Sequence, residues 1–219
     1  ALSPTEEDAI VAFVDGCVAD GNWSKLDEFW CFALNATDWL TGWKAATAAA
    51  TSVTRSANGA TQAGGHLDTT LVLPSLANFA LTDCEAGVFV HSWADTASTG
   101  NQDLFGASDA GGNRFYTRHR GSDTNDFRAG VNSSGTFDVD QLTTSIAGVL
   151  YSLRGTPTDS EMFFDGVLQA PTLGSAPTTV PVTFPMFLFA DNNAGSPANP
   201  VANGSIYTSF YIGAALADT

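Results

Sequence analysis

The chain has 219 residues, with 23 acidic side chains against 8 basic ones and a net charge of −15. A field of that sign repels phosphate backbones and anionic lipid, which sets nucleic acid and membrane surfaces aside as partners. Only 14% of the residues are charged, against roughly 25% in an average domain. The polar surface therefore comes from Thr, Ser, Asn and Gly, and these residues suit short strands joined by turns.

Cys17, Cys31 and Cys84 form an odd set without metal-ligand spacing and read as buried free thiols, because an unpaired cysteine behaves as a small apolar residue. The opening residues, ALSPTEEDAI, are acidic and lack a basic leader region. No apolar run approaches the roughly 18 residues that a membrane span needs. These features predict synthesis in a reducing bacterial cytoplasm, with no secretory route and no membrane insertion.

In chain order, Ser3-Pro4-Thr5-Glu6 predicts a helix start: Ser3 can cap, Pro4 suits the first position, and Glu6 completes a capping box. Ile10, Phe13, Val14 and Cys17 recur at helical spacing and give one apolar face, and Asp20-Gly21-Asn22 stops the helix. Residues 23–27 read as a helical turn, 29–34 (FWCFAL) as a buried strand, and 35–38 as a further turn carrying Trp39 and Trp43. Trp23, Trp30, Trp39 and Trp43 sit among other apolar residues, so they read as core rather than as sugar-stacking platforms. Residues 44–61 have few large side chains and read as a linker or as an edge strand around 52–55, with Gly64-Gly65 as a turn.

From residue 66 onward, strand patterns recur with turn clusters between them: 66–73, 87–93, 103–107, 114–120, 127–131, 148–154, 161–164, 167–169, 182–190 and 205–212. Such spacing predicts a sandwich or barrel. Asp165-Gly166 between two apolar runs predicts a tight hairpin, because both central residues must accept positive φ. The expected division is a helical, Trp-rich segment over 1–62 that packs on or attaches a sandwich over 63–219.

FFDGVLQA resembles the strand, Asp-Gly, strand hairpin of concanavalin A-like and laminin-G-like jelly rolls. FPMFLFADNNAGSPANPVANGSIYTSFYIGAALAD resembles the closing strands of that fold in bacteriophage and prophage structural proteins. AIVAFVDGCVADGNWSKLDEFWCFAL, TGWKAAT and GGHLDTTL resemble the opening segments of the same group. The resemblance implies an all-β, concanavalin A-like jelly-roll sandwich of two antiparallel sheets with a short N-terminal helix. It also implies a virion component such as a tail, fibre, spike or head-decoration protein, placed among other virion proteins and facing a host surface glycan.

Glycosidases on such a sandwich need two carboxylates on one strand face, about 5 Å apart in retaining enzymes. After residue 65 the glutamates are Glu85 and Glu161, and neither has an acid two residues away; Asp138 and Asp140 have the spacing but follow a turn. No catalytic residue is assigned, and the chain is expected not to be an enzyme. His66, His91 and His119 lie in separate strand patterns, so no metal site is assigned. The segments 100–103 (GNQD) and 122–126 (SDTND) are rich in oxygen ligands and would suit a calcium ion, without a defined ligand set; no other cofactor is expected.

The most informative cluster is Arg114, Tyr116, Arg118 and Arg120, which share one face if 114–120 is a strand. An open face of Arg with Tyr can grip a carboxylated or sulfated sugar. The same face can meet a neighbouring subunit in a homo-oligomer, or pair with Asp103, Asp109, Asp123 or Asp126 at the surface. The expected function is a non-enzymatic virion surface protein; the alternative is a carbohydrate-binding or carbohydrate-cleaving protein outside any particle.

Overall fold

A computed structural model of the chain describes residues 3–35, 37–94, 101–120, 127–133, 137–139, 147–155, 160–169 and 184–216. Helix α1 (Pro4–Ala19) starts at the proline, whose missing N–H costs nothing at that position. The Glu7 N–H donates to the Ser3 carbonyl at 3.0 Å. Ile10, Val14 and Cys17 are half-buried. Phe13 packs on Phe29 and Trp43 with ring centroids 4.9 and 5.8 Å away, yet stays 42% exposed. The helix thus rests lightly on the sheet, and Val11 and Val18 face outward.

The strands are β1 (Leu26–Cys31), β2 (Ala49–Ser56), β3 (Gly59–Val72), β4 (Cys84–Ser92), β5 (Gln102–Ser108), β6 (Arg114–Arg120), β7 (Phe127–Ser133) and β8 (Phe137–Val139). They continue as β9 (Gly148–Arg154), β10 (Glu161–Phe164), β11 (Val167–Leu168), β12 (Pro185–Leu188), β13 (Asp191–Asn193), β14 (Ser196–Ala198) and β15 (Ile206–Gly213). Their main order is β11-β10-β9-β4-β15-β3-β12-β5-β6-β7-β8, with β1 on β15 and β2 on β3. Among the described residues pairing is antiparallel except for the short parallel contact of β13 with β5. Several expected features differ in detail: β1 starts at Leu26, inside the residues 23–27 expected as a helical turn, and ends at Cys31. The residues 52–55 belong to a full edge strand, β2, and Gly64-Gly65 is a bend inside β3 rather than a turn between elements. A Cβ on Gly65 would stand 1.7 Å from the Thr51 carbonyl oxygen, so only glycine lets the two strands approach there. Beyond that bend β3 leaves β15 and pairs with β12, which joins the two halves of the sandwich into one curled sheet.

The halves meet face to face. Thr117 of β6 and Ser152 of β9 share a 2.7 Å hydrogen bond, and the fully buried Arg154 donates from Nε and Nη2 to the Val131 carbonyl at 3.1 and 2.8 Å. Between them lie Trp30, Phe105, Phe115 and Phe210, with Phe105 to Phe210 centroids at 5.4 Å. Burial of such rings dominates the folding free energy. Trp30 therefore is core, whereas Trp23, Trp39 and Trp43 are half-buried around the loop that follows β1. Of the thiols only Cys84 is buried; Cys17, on α1, and Cys31, on β1, are half-buried, so the expectation of three buried thiols holds for one. Asp165-Gly166 turns the β10–β11 hairpin with φ of 48° and 75°, as its residue types predict.

Several acids act as backbone staples. Glu28, 1% exposed, accepts the N–H groups of Phe29, Lys44 and Ala46 at 2.9, 2.6 and 2.7 Å and so closes the Trp39–Trp43 loop. Asp27 likewise accepts from Ala77, Asn78 and Phe79 at 2.7–2.8 Å. Glu28→Gln puts an NH2 group against a backbone N–H and is expected to lower the unfolding free energy by about 2 kcal/mol in urea titrations, the scale of a charged hydrogen bond. An unchanged midpoint would show that the loop closes without it.

Candidate functional site

Strand β6 alternates as its sequence predicts. Phe115 and Thr117 point into the sandwich, while Arg114, Tyr116 and Arg118 point to the other face. Room for these large side chains comes from the neighbouring strands: Tyr116 sits between Gly106 of β5 and Gly130 of β7 in the cross-strand register. A Cβ at 106 would stand 2.5 Å from the Tyr116 Cβ and 2.8 Å from Oδ1 of Asp191. A Cβ at 130 would stand 2.7 Å from the Arg114 Cγ. The two glycines therefore make the floor on which the site is laid.

One wall is the turn between β5 and β6, where the Asp109 carboxylate accepts the Asn113 backbone N–H and side-chain amide, both at 2.9 Å. The opposite wall is the β13–β14 hairpin. Its turn at Ala194-Gly195 is tied back by a 3.0 Å bond from the Ala194 N–H to the Ser108 carbonyl. Between the walls lies a polar cleft of about 360 Å³, lined by Ser108, Asp109, Arg114, Tyr116, Arg118, Asp191, Asn193 and Asn199.

Arg118 is committed inside this cleft. Its Nε and Nη2 grip Asp103 at 2.5 and 3.2 Å, and the two side chains are 9% and 0% exposed. Asn199 completes the cluster, donating from Nδ2 to Asp103 at 2.8 Å and accepting the Asp103 N–H at its carbonyl at 2.8 Å. Burial works against the Arg118 cation, but the Asp103 carboxylate outweighs it and holds the guanidinium above its ordinary value. The surface pairing expected for this arginine is thus a buried one. Arg118 and Arg114 lie over the Tyr116 ring, 4.9 and 5.9 Å from its centroid. Arg114 stays half-exposed, with Nε on the Gly112 carbonyl at 3.1 Å.

Asp191 faces them from β13. Its Oδ2 accepts the Ser108 hydroxyl at 2.5 Å. Burial pushes its carboxyl up to about 6, with the Ser108 bond opposing and the Asp103 charge adding to the shift. Neither Asp191 nor Ser108, Asn193 and Asn199 stood out in the sequence. The Asn-rich turn DNNAGSPANP marks a loop, but its seating on β5 is a contact across more than eighty positions. The Arg120 backbone pairs with Gln102; its side chain, together with 122–126, Asp140 and the side chains of His119, Arg128 and Asp138, lies outside the described residues. Of the segment 100–103, Asp103 is spent on Arg118 and Asn199. His66 stacks on Phe187 at 4.1 Å and His91 is exposed on β4; among the described residues no three His, Cys, Asp or Glu side chains gather as metal ligands.

No protein-family model and no curated protein sequence matches the chain. Among solved structures, a Trypanosoma rangeli sialidase in complex with 2,3-difluorosialic acid superposes with a TM-score of 0.61 at 15% identity, over 87% of this chain. The chain spans 30% of that sialidase's length. Domain 4 of an extracellular arabinanase from Geobacillus stearothermophilus, in complex with arabinotriose, superposes with a TM-score of 0.60 at 15% identity, over 87% of this chain and 93% of that one. At such identity the likeness is one of fold: the chain is an all-β, concanavalin A-like sandwich of the lectin-like kind with one N-terminal helix.

Two stability changes should separate the buried pair from Asp191. Arg118→Ala leaves Asp103 buried and unpaired and is expected to cost about 3–5 kcal/mol in denaturant titrations, whereas Arg114→Ala changes stability by about 0.5 kcal/mol or less. Asp191 is held above its unfolded value, so its ionisation opposes folding fully above about pH 6 and not at all below about pH 4. Asp191→Asn should therefore stabilise the protein at pH 8, by about 1–3 kcal/mol, and lose that gain by pH 4.

Proposed function

We propose that the chain is a non-catalytic, lectin-like carbohydrate-binding domain whose binding site is the cleft between the β5–β6 and β13–β14 hairpins. The observation that carries this reading is the cleft itself. Its polar side chains are fixed by hydrogen bonds on a rigid sheet, as the Arg118–Asp103–Asn199 cluster and the Ser108–Asp191 bond illustrate, so little ordering is left for a ligand to impose. The fold neighbours support the same class, one being an arabinanase domain solved with arabinotriose. A non-catalytic role is supported by the acids: Asp103 is sealed by Arg118 and Asn199, and Glu28 and Glu85 bind backbone N–H groups.

The virion setting is a second proposal that rests on the order of sequence motifs, as do the homo-oligomer and the particle partners. The carbohydrate-active neighbours support a carbohydrate-binding domain outside a particle better. A glycan array probed with labelled protein tests the main reading: arabinotriose or another oligosaccharide should bind, Arg114→Ala should abolish the signal, and no reducing ends should be released. An array without any binder, or release of reducing ends, would contradict it.

A further inference from the structure

The cleft contains one buried polar atom without a partner. Asp191 is 6% exposed, its Oδ2 is taken by Ser108, and its Oδ1 has no hydrogen bond. A buried carboxylate oxygen is an obligatory acceptor, and leaving it unpaired is costly. No donor among the described residues reaches it. Gly106 lies beside it, Arg118 is turned to Asp103, and the Arg114 Nε is turned to the Gly112 carbonyl. The donor is therefore expected from whatever occupies the cleft.

Charge selects the class of occupant. Asp103, Asp109 and Asp191 oppose Arg114 and Arg118, so the cleft has no surplus of positive charge on a chain of net charge −15. A carboxylated or sulfated sugar would bring a further negative charge against Asp109 and Asp191. A neutral sugar brings hydroxyl donors and acceptors and no charge. Resting on the carbohydrate-binding reading above, we propose that the cleft takes a neutral sugar and reads it through a hydroxyl that donates to Oδ1 of Asp191, while the Arg114 guanidinium donates to a neighbouring sugar oxygen.

The acceptor role needs the ionised carboxylate. The groups that face it are Ser108 and Asp103 on β5, Arg114, Tyr116 and Arg118 on β6, and Asp109 on the turn between them, and burial leaves the Asp191 carboxyl at about 6 in the free protein. Ser108 already donates to Oδ2, so below that value the proton goes to Oδ1 and turns it from acceptor to donor, and affinity falls as the pH falls. Between pH 7.5 and pH 5 the loss should be about tenfold, following the ionised fraction.

Isothermal titration of the full chain tests the proposal. The neutral probes are arabino-, xylo-, malto- and mannotriose; the anionic probes are trigalacturonic acid and sialyllactose. The expected result is a neutral trisaccharide that binds at pH 7.5, binds about tenfold more weakly at pH 5, and is lost on Asp191→Asn, which places a donor where Oδ1 stood. Circular dichroism of that variant keeps misfolding apart from loss of the acceptor. Binding of the anionic probes alone would overturn the proposal and leave the carbohydrate-binding reading standing. So would neutral binding that Asp191→Asn does not change. Failure of every probe to bind the unaltered chain would overturn both.

Discussion

The bidentate contact between Arg118 and Asp103 is the interaction on which the cleft depends. It joins β6 to β5, and through Asn199 it fastens the segment that follows the β13–β14 hairpin. A buried ion pair is a poor source of stability, because desolvating both charges offsets most of their attraction. Its effect is positional. Asp103 accepts from both partners, so the two walls of the cleft cannot shift independently. With Arg118 held over the Tyr116 ring, Arg114 and Asp191 are the charged groups left facing the open volume with Asp109.

The same economy recurs away from the cleft. A chain with 23 acids would be expected to solvate them, yet a number are built into the fold. Glu28 closes the Trp-rich loop, Asp27 collects three N–H groups from 77–79, and Asp165 accepts the Val149 N–H across its own hairpin at 2.7 Å. Glu85 accepts the Tyr211 hydroxyl and the Leu216 N–H. A charged acceptor makes a stronger hydrogen bond than a neutral one, so each of these loops is fixed with a single side chain. Carboxylates that hold backbone N–H groups in this way serve the fold, so acid richness by itself does not mark a hydrolase.

Much of the fold was legible because its signals are local. The helix start at Pro4, the strands 114–120, 148–154 and 161–164, and the Asp165-Gly166 hairpin depend on neighbouring residues and match the structure closely. The Gly64-Gly65 pair reads as a turn but is a bend within β3, since a glycine pair reports permissive φ and close approach without saying which strand continues through it. At the site, alternation placed Arg114, Tyr116 and Arg118 on one face. It could not show that Arg118 is consumed by Asp103, nor that Asp191 and Asn199 approach from far along the chain. Those are contacts between hairpins, and no local pattern encodes them. Gly106 and Gly130 are legible only afterwards, once the register sets them on either side of Tyr116.

A sugar received by this cleft must register on its lining and not on another surface. The competing surface is the outer sheet face beside α1, where Tyr151 and Phe163 stack at 4.7 Å and Phe89 is 38% exposed. Amide chemical-shift mapping of the ¹⁵N-labelled protein, titrated with its tightest-binding oligosaccharide, distinguishes them directly. Binding in the cleft is expected to perturb amides centred on Gly106, Asp109, Arg114, Gly130, Asp191 and Asn193. Perturbations centred on Phe89, Tyr151, Phe163 and Tyr211, with the cleft silent, would contradict it.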